Sequence, residues 1–216
     1  MTLVYELIDI FSLFPPLIAV LGGFFGLKYY NKLDNNLKPL VFLLLLGFAN
    51  DYLSRIFGIV FESNLHFFNT YAFIELVLMY AYLISFLKKS KQIFNVFFVL
   101  LMLFNIYEFI FIDFFSIVDF QVYSRVFNCV FLLILNFFIL IKNLENETIE
   151  KVDYIFFLLP CYFAISTVLS LPVNFLVNYV DIKIFLIWLF NNFLFCFFYG
   201  LIFYQIWKFG NKKILK

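Results

Sequence analysis

Histidine is almost missing: His66 is the only one in 216 residues, and that scarcity excludes several chemistries. The zinc sites of ceramidase-type intramembrane hydrolases need several histidines. A lone histidine at the start of an apolar stretch cannot anchor a Ser–His or Cys–His–Asp constellation, and the chain has no phosphate-binding loop. Cysteine is short too. Cys129, Cys161 and Cys196 are odd in number, fall in three different apolar stretches without metal-type spacing, and read as small core residues. Charged residues make up only 13% of the chain with a net charge of +1, and the basic ones form short clusters instead of a stripe, which excludes nucleic acid as a partner. Connections between the apolar stretches reach at most about a dozen residues, too few for a soluble domain. A cleavable leader is not expected either, because no basic residue precedes the first apolar run and Glu6 and Asp9 stand at its start.

What remains is apolar. The chain is 65% hydrophobic and 25% aromatic, with a mean hydropathy of +1.01, outside the range of a soluble domain of this length. A membrane span needs about 20 apolar residues. That rule gives seven, over 7–30, 39–61, 66–87, 91–112, 118–142, 154–177 and 183–208. The fold class expected is an all-α, polytopic seven-transmembrane-helix bundle in one domain, 1–216. Twelve of the 15 basic residues fall between spans on one side or in the C-terminal tail, whereas the other side offers only Lys183. The positive-inside rule then places the N-terminus out and the C-terminus in the cytoplasm, in a bacterial inner membrane. Helix 1 carries Pro15-Pro16 and a Gly22-xxx-Gly26 spacing, open to two readings: close approach of a neighbouring helix, or a kinked helix with chance glycines. Pro160 and Pro172 should bend the sixth helix or release backbone carbonyls.

Polar residues inside these spans carry the functional information, since an Asp, Glu or Arg near the bilayer centre costs about 2.5–3.5 kcal/mol on insertion scales and must find partners. Asp51 and Arg55 are i,i+4 on the second helix and can pair. Tyr71, Glu75 and Tyr82 share a stripe on the third, and Asn105 and Glu108 sit together on the fourth. On the fifth, Gln121, Arg125, Asn128, Leu132 and Asn136 make one seam, and the last helix adds Trp188, Asn191, Asn192 and Tyr199. The candidate ligand-binding or buried polar network is Asn50, Asp51, Arg55, Tyr71, Glu75, Asn105, Glu108, Arg125, Asn128, Asn191 and Asn192. Helix rise places most of it in the outer half of the bundle, with Arg125 about two turns into its helix and reaching Glu108, Glu75 or Asp51. Two readings stay open: a self-neutralising core that fixes which helices are neighbours, or a ligand or ion site.

Asn50-Asp51, the block Asn64-x-x-Phe67-Phe68-Asn69-Thr70-Tyr71-x-x-Ile74-Glu75 and Asn191 together resemble an uncharacterised family of small seven-helix membrane proteins of Bacteroidetes. That family's usual pair is Asn-Glu, and its block runs Asn-x-x-Leu-Tyr-Asn-Ile-Tyr-x-x-Ile-Glu. The resemblance implies the helix count and no activity. The function expected is a sensor or receptor-like module with a polar cavity open to the outer side. A small transporter or ion or proton pathway is the alternative, and a lipid-modifying enzyme using Glu75 or Glu108 as acid or base a remote one. The expected partners are the lipid bilayer, a small molecule from the outer side and a cytoplasmic or membrane signalling partner; no cofactor and no metal are expected.

Overall fold

The computed structural model describes residues 10–61, 65–87, 91–111, 123–145, 155–176 and 182–212. Seven helices occupy them: α1 (Phe14–Lys28), α2 (Lys38–Phe61), α3 (Leu65–Ile84), α4 (Lys91–Phe111), α5 (Ser124–Glu145), α6 (Ile155–Leu176) and α7 (Ile182–Lys212). No strand occurs among the described residues. Six helices are long and apolar enough to cross a membrane, and α6 contributes a shorter apolar stretch, Ile155–Leu171. The chain is therefore a helical, multi-pass membrane protein. The expected ends 7–9, 112, 118–122, 154 and 177, with Asn64 and Gln121, lie outside the described residues.

Six helices close a ring, in which α7 packs on α1, α1 on α2, α2 on α3, α3 on α5, α5 on α6 and α6 on α7. Helix α4 lies outside the ring against α3 and α5. Of its 21 residues only Asn105 and Glu108 are buried. Between lipid-clad helices there is little hydrophobic drive, so association falls to close packing and polar contacts. Helix α4 is held by the second of these. Asn105 and Asn128 exchange amide hydrogen bonds, each 3.0 Å, and their remaining amide hydrogens go to the carbonyls of Leu101 (2.7 Å) and Ala72 (3.2 Å). At its other end the Tyr80 hydroxyl donates to Asn95, with Tyr80 stacked on Phe98.

Helix α1 is held by packing. Gly22 and Gly26 turn one side toward α2, where an added Cβ would come within 2.7 Å of Leu44 and of Val41. The small-residue reading of this spacing is the one the structure adopts. Pro15 and Pro16 occupy the first positions of α1, where a missing N–H costs nothing. Helix α6 runs without interruption past Pro160. The cysteines split: Cys129 is buried, Cys196 half-buried, and Cys161 exposed because it falls on the outward face of α6. The core expectation thus holds for Cys129 alone.

Below the polar half the ring closes on apolar layers. Leu76, Met79 and Leu83 of α3 and Leu132, Leu135 and Ile139 of α5 are fully or nearly fully buried. At that end Tyr82, Phe86 and Phe156 pack ring on ring.

Candidate functional site

At the end of the bundle where α1, α3, α5 and α7 begin, a cavity of about 140 Å³ opens between α1, α2, α3, α5 and α7. Its polar wall is Asn50, Asp51, Ser54, Arg125, Asn191 and Asn192. Five of these were expected from sequence to act together, and they arrive from three helices. Tyr71, also expected, lines it with Phe68, Phe195 and Tyr199. Gly47 permits this wall, since a Cβ there would meet the Tyr199 hydroxyl at 2.7 Å.

Asp51 and Arg55 form the expected i,i+4 pair, Arg55 Nε donating to Asp51 Oδ2 at 2.8 Å. Arg55 does more than that. Its Nη2 donates to the Ser12 carbonyl at 2.6 Å and its Nη1 to Ser12 Oγ at 3.2 Å. In an unbroken helix that carbonyl would take the amide of residue 16, and residue 16 is a proline. The proline pair thus leaves an acceptor that the arginine uses. Asn50 Nδ2 donates to the Phe67 carbonyl at 3.1 Å, tying α2 to α3, while its Oδ1 has no partner among the described residues.

Glu108 and Arg125 do not meet. Helix α5 begins at Ser124, so Arg125 stands in its first turn and not two turns deep. Glu108 instead accepts the amides of Tyr123 (2.8 Å, Oε1) and Ser124 (3.0 Å, Oε2). A helix start leaves such amides without intrahelical partners and carries partial positive charge, and a carboxylate there satisfies both. Sequence gave no hint that a residue on α4 would cap α5. Ser124 also donates to Asn69 Oδ1 at 2.8 Å, fixing the same helix start to α3.

Arg125 is 2% exposed. No carboxylate lies within 4 Å of it among the described residues, whereas Arg55 has Asp51 at 2.8 Å. Its hydrogen bond to Ser166 is long, 3.5 Å from Nη2 to Oγ, the Cys129 thiol is its other close polar neighbour, and its Nε has no partner. The guanidinium is held instead by rings, its central carbon 4.6 Å from the centroid of Phe68, 5.1 Å from Phe195 and 5.9 Å from Tyr71. Glu75 acts on this charge through space, but its own Oε1 is taken by the Tyr162 hydroxyl at 2.5 Å. Tyr162 in turn stacks on Phe198 at 3.9 Å.

The cavity therefore gathers Asn50, Asp51, Tyr71, Arg125, Asn191 and Asn192. Glu75 lies off its wall, Arg55 behind Asp51, and Asn105, Glu108 and Asn128 belong to the α3–α4–α5 junction. Tyr162, Ser166 and the ring walls Phe68 and Phe195 were missed. The first two had a signal, for Tyr162, Ser166 and Ser170 repeat every fourth residue on α6 and all are buried. The phenylalanines had none, being two among 37. No group of three or more His, Cys, Asp or Glu placed to hold a metal ion occurs among the described residues. Comparisons with protein families, with curated proteins and with solved structures each return no match.

Proposed function

We propose that this chain is a sensor or receptor-like membrane module that binds a small ligand in the cavity around Arg125, reached from the outer side of a bacterial inner membrane. One observation carries the reading: a guanidinium on a cavity wall, almost wholly buried, with no carboxylate within 4 Å among the described residues and an unused Nε donor. A polar core that served only to fix helix neighbours would pair this charge, as it pairs Arg55. Burying an unpaired ion costs several kcal/mol even after relaxation, and such a cost is most readily retained where the charge has work to do.

The orientation rests on the basic residues around the ends of the helices. With the N-terminus out, seven spans bring the cavity to the outer half and the Lys-rich connections to the cytoplasm. Asn69, Tyr71 and Glu75, from the block that resembles the seven-helix family of Bacteroidetes, are all buried at this end. A transporter would need polar residues through the full depth. Asn136 and Gln205 are buried in the other half, but Leu132 intervenes on α5 and Leu76, Met79 and Leu83 follow Glu75 on α3, so a binding module is the stronger reading. A partner would have to relay the signal.

Cysteine accessibility tests this. With Cys161 and Cys196 replaced by Ser, Ser54→Cys should react with a membrane-impermeant maleimide in spheroplasts. Labelling that requires permeabilised membranes would reverse the orientation, and solute flux into proteoliposomes driven by an ion gradient would favour the transporter.

A further inference from the structure

Resting on the cavity reading above, we propose that the ligand is a small organic monocarboxylate with an apolar body and a hydrogen-bond donor remote from the carboxylate. Four features of the cavity select this class.

Charge comes first. Asp51 is neutralised by Arg55 at 2.8 Å, so among the cavity's described lining residues Arg125 supplies the positive charge that has no carboxylate within 4 Å, Glu75 acting on it only through space from off the wall. One charge suits a monoanion. A phosphate dianion in so buried a place would call for a second cation.

Shape comes next. The guanidinium carbon lies 4.6 Å from the ring centroid of Phe68 and 5.1 Å from that of Phe195, and these rings bring no carboxylate or carbonyl acceptor to its N–H edge. The unused Nε belongs to that edge. A planar carboxylate accepts two parallel N–H bonds from such an edge, a geometry that lysine or a tetrahedral anion does not reproduce.

Size bounds the rest of the molecule. An apolar cavity of about 150 Å³ holds benzene, so a space like this one takes roughly six to ten non-hydrogen atoms. The cavity here is about 140 Å³. Tyr71, Phe195, Tyr199 and Trp188 line it with rings, which suit an apolar or aromatic body.

The fourth feature is Asn50 Oδ1, a buried acceptor on the same wall with no partner among the described residues. A buried acceptor left unmet is costly, and a ligand hydroxyl or N–H would meet it.

Isothermal titration of the full chain in detergent with benzoate, 4-hydroxybenzoate, benzamide and inorganic phosphate tests each feature separately. Both carboxylates should bind, the hydroxylated one more tightly. Benzamide should bind at least tenfold more weakly than benzoate, and phosphate should give no heat. Arg125→Gln should bring benzoate down to the level of benzamide, and Asn50→Leu should erase only the advantage of the hydroxyl group. If Arg125→Gln fails to fold, the wild-type series still decides. Benzamide binding as tightly as benzoate would overturn the anion assignment and leave the cavity standing. Phosphate competing with benzoate would overturn the carboxylate class. Equal affinity for the two carboxylates would remove the role of Asn50, and silence from all four probes would overturn the cavity reading itself.

Discussion

Arg55 and Arg125 lie at the same end of the bundle and are treated in opposite ways. Arg55, with 37% of its side chain exposed, has a carboxylate at 2.8 Å, a hydroxyl at 3.2 Å and a backbone carbonyl at 2.6 Å. Arg125 is more deeply buried, yet it has a long hydrogen bond to Ser166, the Cys129 thiol and three aromatic rings. Burial raises the cost of a missing partner, so the better-solvated arginine is the better satisfied and the worse-solvated one is left open. On the proposed reading, that inversion separates a charge that ties helices together from one kept for a ligand.

The largest effect expected from breaking this comparison comes through Glu108. Glu108→Ala would strip two helix-start amides of their acceptor and remove one of the two buried side chains of α4, at a cost on the order of 3 kcal/mol. Thermal unfolding in detergent should show a fall of many degrees, and ligand response should go with it, because Glu108 fixes the turn that carries Arg125. Retained stability would mean that the Tyr123 and Ser124 amides find other acceptors.

Gly26→Ala tests the opposite end, where packing without charge holds α1. A Cβ there would sit 2.7 and 2.8 Å from the two methyls of Val41, and overpacking of this kind costs about 1–3 kcal/mol. Pairing it with Val41→Ala should restore part of the loss, and a ligand titration should be unchanged throughout. No recovery in the double variant would point to a cause other than this contact.

The smallest effect belongs to the satisfied pair itself. Asp51→Asn leaves Arg55 both Ser12 acceptors, and partly exposed ion pairs contribute about 0–1 kcal/mol, so the melting temperature should scarcely move. A large drop would show that the pair is structural to a degree its exposure does not suggest.

How legible all this was follows from the physics of each residue. The helical, multi-pass character and the burial of the polar seam could be read because apolar length and i,i+4 spacing are local properties. Arg125, Asn128 and Asn136 are each at most 2% exposed, on one face of α5. The Asp51–Arg55 pair was legible for the same reason. The pairing of Arg125 with Glu108 was not, because it assumed that α5 starts before Arg125; a helix that begins at Ser124 turns Glu108 into a cap. Helix order gave no warning that α4 would stand outside the ring while α3 packs on α5. The Ser12 carbonyl as a partner for Arg55 could be seen only once Pro16 was recognised as a donor missing from one helix that supplies an acceptor to another.

Arg125→Met in the absence of ligand tests the central claim most directly. Methionine keeps an unbranched apolar side chain beside Phe68 and Phe195, though a shorter one, and removes the charge. Ring contacts return about 0.5–2 kcal/mol to a buried cation, less than the several kcal/mol its desolvation costs. If Arg125 is held open for a ligand, the ligand-free variant should melt at or above the temperature of the parent chain while losing its response to benzoate. A melting temperature lowered by ten degrees or more would contradict the account and return Arg125 to the structural core.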